Sequence, residues 1–122
     1  FIGPARTQHT DSRDDGLTLR IDYGQTSVVV TGCITSNGEK EIVSSGAAAA
    51  CDALIVSRGG TEAATCAEWV EAAKPKVALI TGKSPANSVR IRLQKYGATV
   101  YAAKENGVMT LFSDGQEITV EP

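Results

Sequence analysis

Apolar and polar residues alternate most regularly near the start of the chain. Leu17, Leu19, Ile21 and Tyr23 stand against Thr18, Arg20 and Asp22. A period of two marks a half-buried strand, with the leucine–isoleucine row as its inner face. Gly24-Gln25 follows, with glycine at the first central position that a type II′ hairpin turn prefers. Thr26 to Thr31, which contains Val28-Val29-Val30, is the partner strand.

Beyond this hairpin the period changes. Asn37 or Gly38, followed by Glu39-Lys40-Glu41-Ile42-Val43, predicts a short helix with acids in its first turn, which the Gly46 to Ala50 run extends or follows. Ala53 to Val56 predicts a short buried strand. Thr61 offers an N-cap to a second helix with Ala63, Cys66, Trp69, Val70 and Ala73 on one face. Pro75 separates this helix from the strand Val77 to Ile80. Ser84-Pro85 reads as a third helix opening; Val89 to Leu93 then alternates like a strand, but that opening and the Gly97 stop favour a helix. Strands at Thr99 to Ala102, Val108 to Phe112 and Glu117 to Val120 complete the chain, the last two joined at Asp114-Gly115. The order predicts a layered α/β fold, a mixed sheet with helices on one face, behind an irregular polar lead-in over 1–16. Within that lead-in, His9 reads as an exposed loop residue and the adjacent Asp14 and Asp15 as solvated acids.

Composition narrows the class without naming a function. The 122 residues are 42% hydrophobic and 21% charged, a globular balance sufficient for one domain or a large piece of one. Apolar runs stop far short of the roughly 20 residues that cross a bilayer. The chain opens at Phe1 without Met or a signal-peptide pattern, as expected of a fragment or processed product. Cys33, Cys51 and Cys66 are odd in number and lack CxxC spacing, so buried free thiols are expected, with one bridging pair left open. Net charge is −2, yet Lys74, Lys76, Lys83, Arg90, Arg92 and Lys95 fall in a stretch without acids. That stretch reads either as a face for phosphate backbones or as solvated charge spread over two elements. Tyr96 is its lone aromatic, which is poor support for a single-strand stacking platform.

Chemistry in α/β proteins concentrates in the loops that leave buried strands. Two such loops stand out, Thr31-Gly32-Cys33 and Val56-Ser57-Arg58-Gly59-Gly60-Thr61. Arg58, with Gly59-Gly60-Thr61 leading into a helix, suits an anion held by a guanidinium and backbone N–H groups. The alternative is an arginine paired with a local carboxylate above a tight glycine turn. No serine has a paired histidine, and no P-loop or GxGxxG is present.

Six stretches together resemble a known family: Leu17 to Gly24, Thr31-Gly32, Ala53 to Ser57, Glu71 to Ile80, Leu93 to Tyr101 and Glu105 to Leu111. In order, they are similar to the C-terminal half of the metallo-β-lactamase-like domain of ComEC-type competence proteins, and the lead-in from Pro4 to Leu17 fits as well. The resemblance implies half of an αββα sandwich, with metal at strand-end loops where two halves meet. It implies a soluble domain of a bacterial membrane channel, on the extracytoplasmic face, that processes or contacts incoming DNA. Intact members are expected to hold zinc. Against that pattern, Cys33 stands where an aspartate follows Thr-Gly, Arg58, Gly59 and Gly60 stand for His-His-Gly, and Ser84 stands for a histidine before proline. A hydrolytic zinc site needs imidazole and carboxylate ligands with one open position. The expectation is therefore a ligand-depleted, non-catalytic fragment with no metal of its own. It would contact DNA through Arg58 and the basic stretch, and join the rest of its parent channel. A homodimer formed through an uncovered sheet face or edge is a further expectation. The alternative is one part of a metal-dependent hydrolase or nuclease whose other ligands lie in an N-terminal half.

Overall fold

The computed structural model describes residues 1–6 and 8–121. Five strands form one sheet in the order β1 (Thr18–Tyr23), β2 (Thr26–Thr31), β3 (Ala53–Ile55), β4 (Val77–Ile80) and β5 (Thr99–Ala102). The first pair is antiparallel and the other neighbours are parallel, so the sheet is mixed. Tyr23 pairs with Thr26 across the two-residue turn, where Gly24 takes the positive φ of 59°.

Three helices cover one face: α1 (Ser36–Ser44), α2 (Ala67–Ala73) and α3 (Asn87–Lys95). The register puts Val29, Leu54, Ala78 and Val100 on that side, with Val56, Ile80 and Ala102 one pleat further on. They meet Ile42 of α1, Trp69, Val70 and Ala73 of α2, and Val89 and Leu93 of α3 in a single core. The segment 89–93 is helical because Val89 and Leu93, four apart, are both buried while Ile91 faces solvent.

Several boundaries depart from the pattern. α2 begins at Ala67, not after Thr61, because Thr65 takes a positive φ of 62° that breaks helical geometry, and Ala63 lies outside the helix and exposed. α3 begins at Asn87, past Ser84-Pro85. α1 stops at Ser44 before Gly46, whose φ is 76°, and the alanine run continues as irregular chain. Arg20 donates to the carbonyls of Ala48 and Ala50 in that run. A short helix α4 (Ala103–Asn106), absent from the pattern, follows β5 and leads to a separate hairpin, β6 (Thr110–Ser113) with β7 (Ile118–Glu121).

The largest departure concerns the alternating row of β1. It points away from the helices: Ile21 is 49% exposed and Tyr23 61%, while Thr18 is fully buried on the helix side. Alternation reveals that two faces differ, not which one the helices will cover. On this second face the register aligns Leu19, Val30, Ile55, Leu79 and Tyr101 into one row across all five strands. The β6–β7 hairpin crosses only part of it. Gln25 N donates to Gly115 O at 2.6 Å, and Thr26 Oγ1 meets Ser113 Oγ at 2.6 Å, which ties the two hairpin tips together. Between hairpin and sheet an apolar hollow of about 570 Å³ is lined by Ile55, Leu79, Met109 and Leu111.

The lead-in is structured. Ser12–Asp15 forms a 3-10 turn, and Gly3 bridges to Thr18. Asp14 is buried, not solvated: its carboxylate accepts from Thr35 N at 2.7 Å and from Thr35 Oγ1 at 2.8 Å. Among the described residues no helix is long and apolar enough to cross a membrane.

Candidate functional site

The parallel strands β2, β3 and β4 release their loops at the same edge of the sheet, the edge where open α/β sheets bind ligands. Backbone contacts fasten the three loops together. Arg58 N donates to Gly32 O at 3.0 Å, and Ala86 N to Gly60 O at 2.9 Å. Ser57 Oγ donates to Ile34 O at 2.6 Å. Gly59 and Gly82 abut so closely that a Cβ on Gly82 would overlap the Gly59 carbonyl oxygen. Cys33, Arg58, Gly59 and Ser84, far apart in sequence, therefore share one edge.

Arg58 occupies a left-handed conformation, φ 53° and ψ 33°, followed by Gly59 at φ 63° and Gly60 at φ 86°. A non-glycine residue held there costs on the order of 1–3 kcal/mol, and such strain gathers at functional positions. Its Nε is buried and, among the described residues, has no hydrogen-bond partner. The Arg58 charge acts weakly on Asp11. Arg13 donates its Nε to both Asp11 oxygens, at 2.9 and 3.0 Å, and holds that carboxyl down at about 2, with a smaller contribution from the Arg58 charge.

The expected helix N-terminus beside Gly60-Thr61 is not there. The N–H groups that precede α2 are instead taken by the chain's own anion. Glu39 is 0% exposed and accepts from Thr65 N at 2.8 Å and Cys66 N at 2.9 Å. Burial pushes its carboxyl up to about 7, against the lowering effect of those two donors. Cys33 is the exposed thiol, contrary to the expectation of buried ones; Cys51 is buried, Cys66 is half-buried, and all three are free. Burial raises Cys51 to about 12 and Cys66 to about 11.

The basic stretch does not assemble into one face. Lys83 lies in the loop after β4, on the edge that carries Arg58. Lys74 and Lys76 precede β4 at the opposite edge, where Lys76 stands 3.5 Å from Asp52. Lys95, in the last turn of α3, returns to that opposite edge. Arg90 is paired with Glu105 at 2.8 Å, and Arg92 donates to Thr65 O at 2.6 Å. α3 interrupts the series because a helix carries successive residues around its circumference.

His9 is the residue whose placement departs most from its reading. Its ring is 3% exposed, with Nδ1 at 2.6 Å from Asp15 Oδ1 and Nε2 at 2.6 Å from Glu41 Oε2. No spacing rule marks a partner 32 positions away. Among the described residues no group of three or more His, Cys, Asp or Glu side chains is placed to hold a metal ion. Neither a protein-family profile, nor a curated protein, nor a solved structure matches the chain.

Proposed function

We propose that this chain is a ligand-depleted half of a metallo-β-lactamase-like domain of the ComEC type, acting as a non-catalytic DNA contact within a larger channel protein. The observation that carries the reading is Arg58. Its backbone is fixed to the gathered strand-end edge through Gly32, the loop that also carries Cys33, and its Nε is buried and, among the described residues, without a hydrogen-bond partner. An arginine there brings a fixed positive charge and a forked donor set suited to a phosphodiester oxygen. Lys83 adds a second cation on the same edge. The half-sandwich part of the proposal is supported by the apolar row across all five strands on the face turned away from the helices.

The test is binding of duplex and single-stranded DNA as a function of salt. Wild-type affinity is expected to fall steeply between about 50 and 200 mM salt. R58Q is expected to weaken binding uniformly across sequences and to reduce the logarithmic salt slope by about one. Absence of binding at the lowest salt, or an R58Q protein that binds like wild type, overturns the reading.

A further inference from the structure

β1 lies at the end of the five-stranded sheet, with β2 on its inner side. On its outer side Thr18 N donates to Gly3 O at 3.2 Å, and Thr18 O accepts from Ile2 N at 2.9 Å. That bridge ends at Thr18. Main-chain groups alternate in direction along a strand. Those of Arg20 and Asp22 therefore turn outward as Thr18's do, while Leu19, Ile21 and Tyr23 bond to β2. Among the described residues the outward N–H and C=O groups of Arg20 and Asp22 have no hydrogen-bond partner. Such a row is a template for another strand. Leu17, Ile21 and Tyr23, all exposed, flank it.

The side chains on this edge select the strand that fits. Charges of one sign would repel a copy of the same edge. β1 instead carries one of each sign, Arg20 and Asp22, two positions apart on the helix side. An antiparallel copy centred on Ile21 sets Arg20 opposite Asp22 of the second copy, and Asp22 opposite its Arg20. Both are pairs of the hydrogen-bonded kind, with Cα atoms about 5.5 Å apart, and together they use all the free backbone groups. Ile21 meets Ile21 of the second copy, and Leu19 faces its Tyr23. Registers centred on Arg20 or on Asp22 set like charges opposite one another instead. Arg20 keeps capacity for this pairing. Its Nε holds Asp22 at 3.0 Å and its Nη1 the carbonyls of Ala48 and Ala50, which leaves Nη2 without a partner among the described residues. The Asp22 side chain is 61% exposed.

We propose that the outer edge of β1 pairs with the same edge of a second copy of this chain, antiparallel and centred on Ile21, in a twofold dimer. The two five-stranded sheets become one, and the apolar rows on their second faces run into one another. Pairing over this length buries less than the roughly 1,200 Å² of a standard stable interface, so the dimer forms reversibly with concentration. The pairing is independent of the reading of Arg58.

Sedimentation velocity over a concentration series, with charge variants, tests the register. Wild type should pass from monomer to dimer as concentration rises. R20D has two acids on the edge and D22R two arginines, so each alone should stay monomeric. Their equimolar mixture should dimerise, because the acids of one edge then face the arginines of the other. Fluorescence of the buried Trp69 checks that each variant is folded. R20D gives up the hold on Ala48 and Ala50, whereas D22R keeps it, so D22R decides the matter if R20D does not fold. Contact through the apolar face rather than the edge would leave D22R associating as wild type does. That result overturns the proposal, as does a monomeric wild type at every concentration or a mixture of folded variants that does not dimerise.

Discussion

Replacing Glu39 by glutamine should flatten the pH dependence of folding in a defined window. Glu39 is fully buried, its two oxygens take the N–H groups of Thr65 and Cys66, and burial raises its carboxyl from 4.5 to about 7. The folded chain therefore binds this proton more tightly than the unfolded one. Its contribution to stability is complete below pH 4.5, declines as pH rises, and is gone above about 7. The difference of about 2.5 pKa units corresponds to about 3 kcal/mol at roughly 1.4 kcal/mol per unit. That is a large share of a typical domain stability of about 5–15 kcal/mol. The glutamine carbonyl can accept from one of the two N–H groups, but its amide turns a donor toward the other. At pH 4.5 E39Q should thus be less stable than wild type by about 1–3 kcal/mol, the cost of one unpaired buried donor. Above pH 7 that deficit should shrink or reverse. Urea unfolding followed by the fluorescence of Trp69, the single and fully buried tryptophan, provides the assay. Comparing the two proteins at each pH cancels the contribution of His9, which titrates in both. A difference in stability between E39Q and wild type that stays constant from pH 4.5 to above 7 would show that Glu39 does not take up a proton on folding in this range.

Two more predictions concern the thiols and the second sheet face. In the native protein a thiol-specific reagent should label Cys33 quickly while Cys51 and Cys66 stay unreacted, because burial holds their thiols protonated with values of about 12 and 11; mass spectrometry showing equal labelling of all three contradicts the burial pattern. The apolar row that ends in the exposed Ile21 and Tyr23 should drive concentration-dependent self-association of the isolated chain, which I21K should abolish; sedimentation that shows only monomer at high concentration removes this expectation.

Local signals in the chain were enough to place most of the elements, with α4 and the 3-10 turn of the lead-in as the exceptions. Local period and turn chemistry placed both hairpins, the three parallel strands and the helical nature of 89–93, because each signal is carried by residues within one or two turns of one another. It also singled out Cys33, Arg58, Gly59 and Ser84, and parallel strand direction then gathers those loops at one edge. What it did not determine is everything set by contacts across long stretches of chain. Which face of β1 the helices cover depends on where α1, α2 and α3 pack, and alternation is symmetric with respect to that choice. The late start of α2 depends on Glu39, 26 residues before its N–H partner on Thr65. The dispersal of the basic stretch depends on the path of α3 from one sheet edge to the other. His9 and Asp14 read as solvated because polar residues in a glycine- and proline-punctuated lead-in usually are. Tertiary structure buried them by supplying Glu41 and Thr35, groups that desolvated charges need and that no local pattern could reveal.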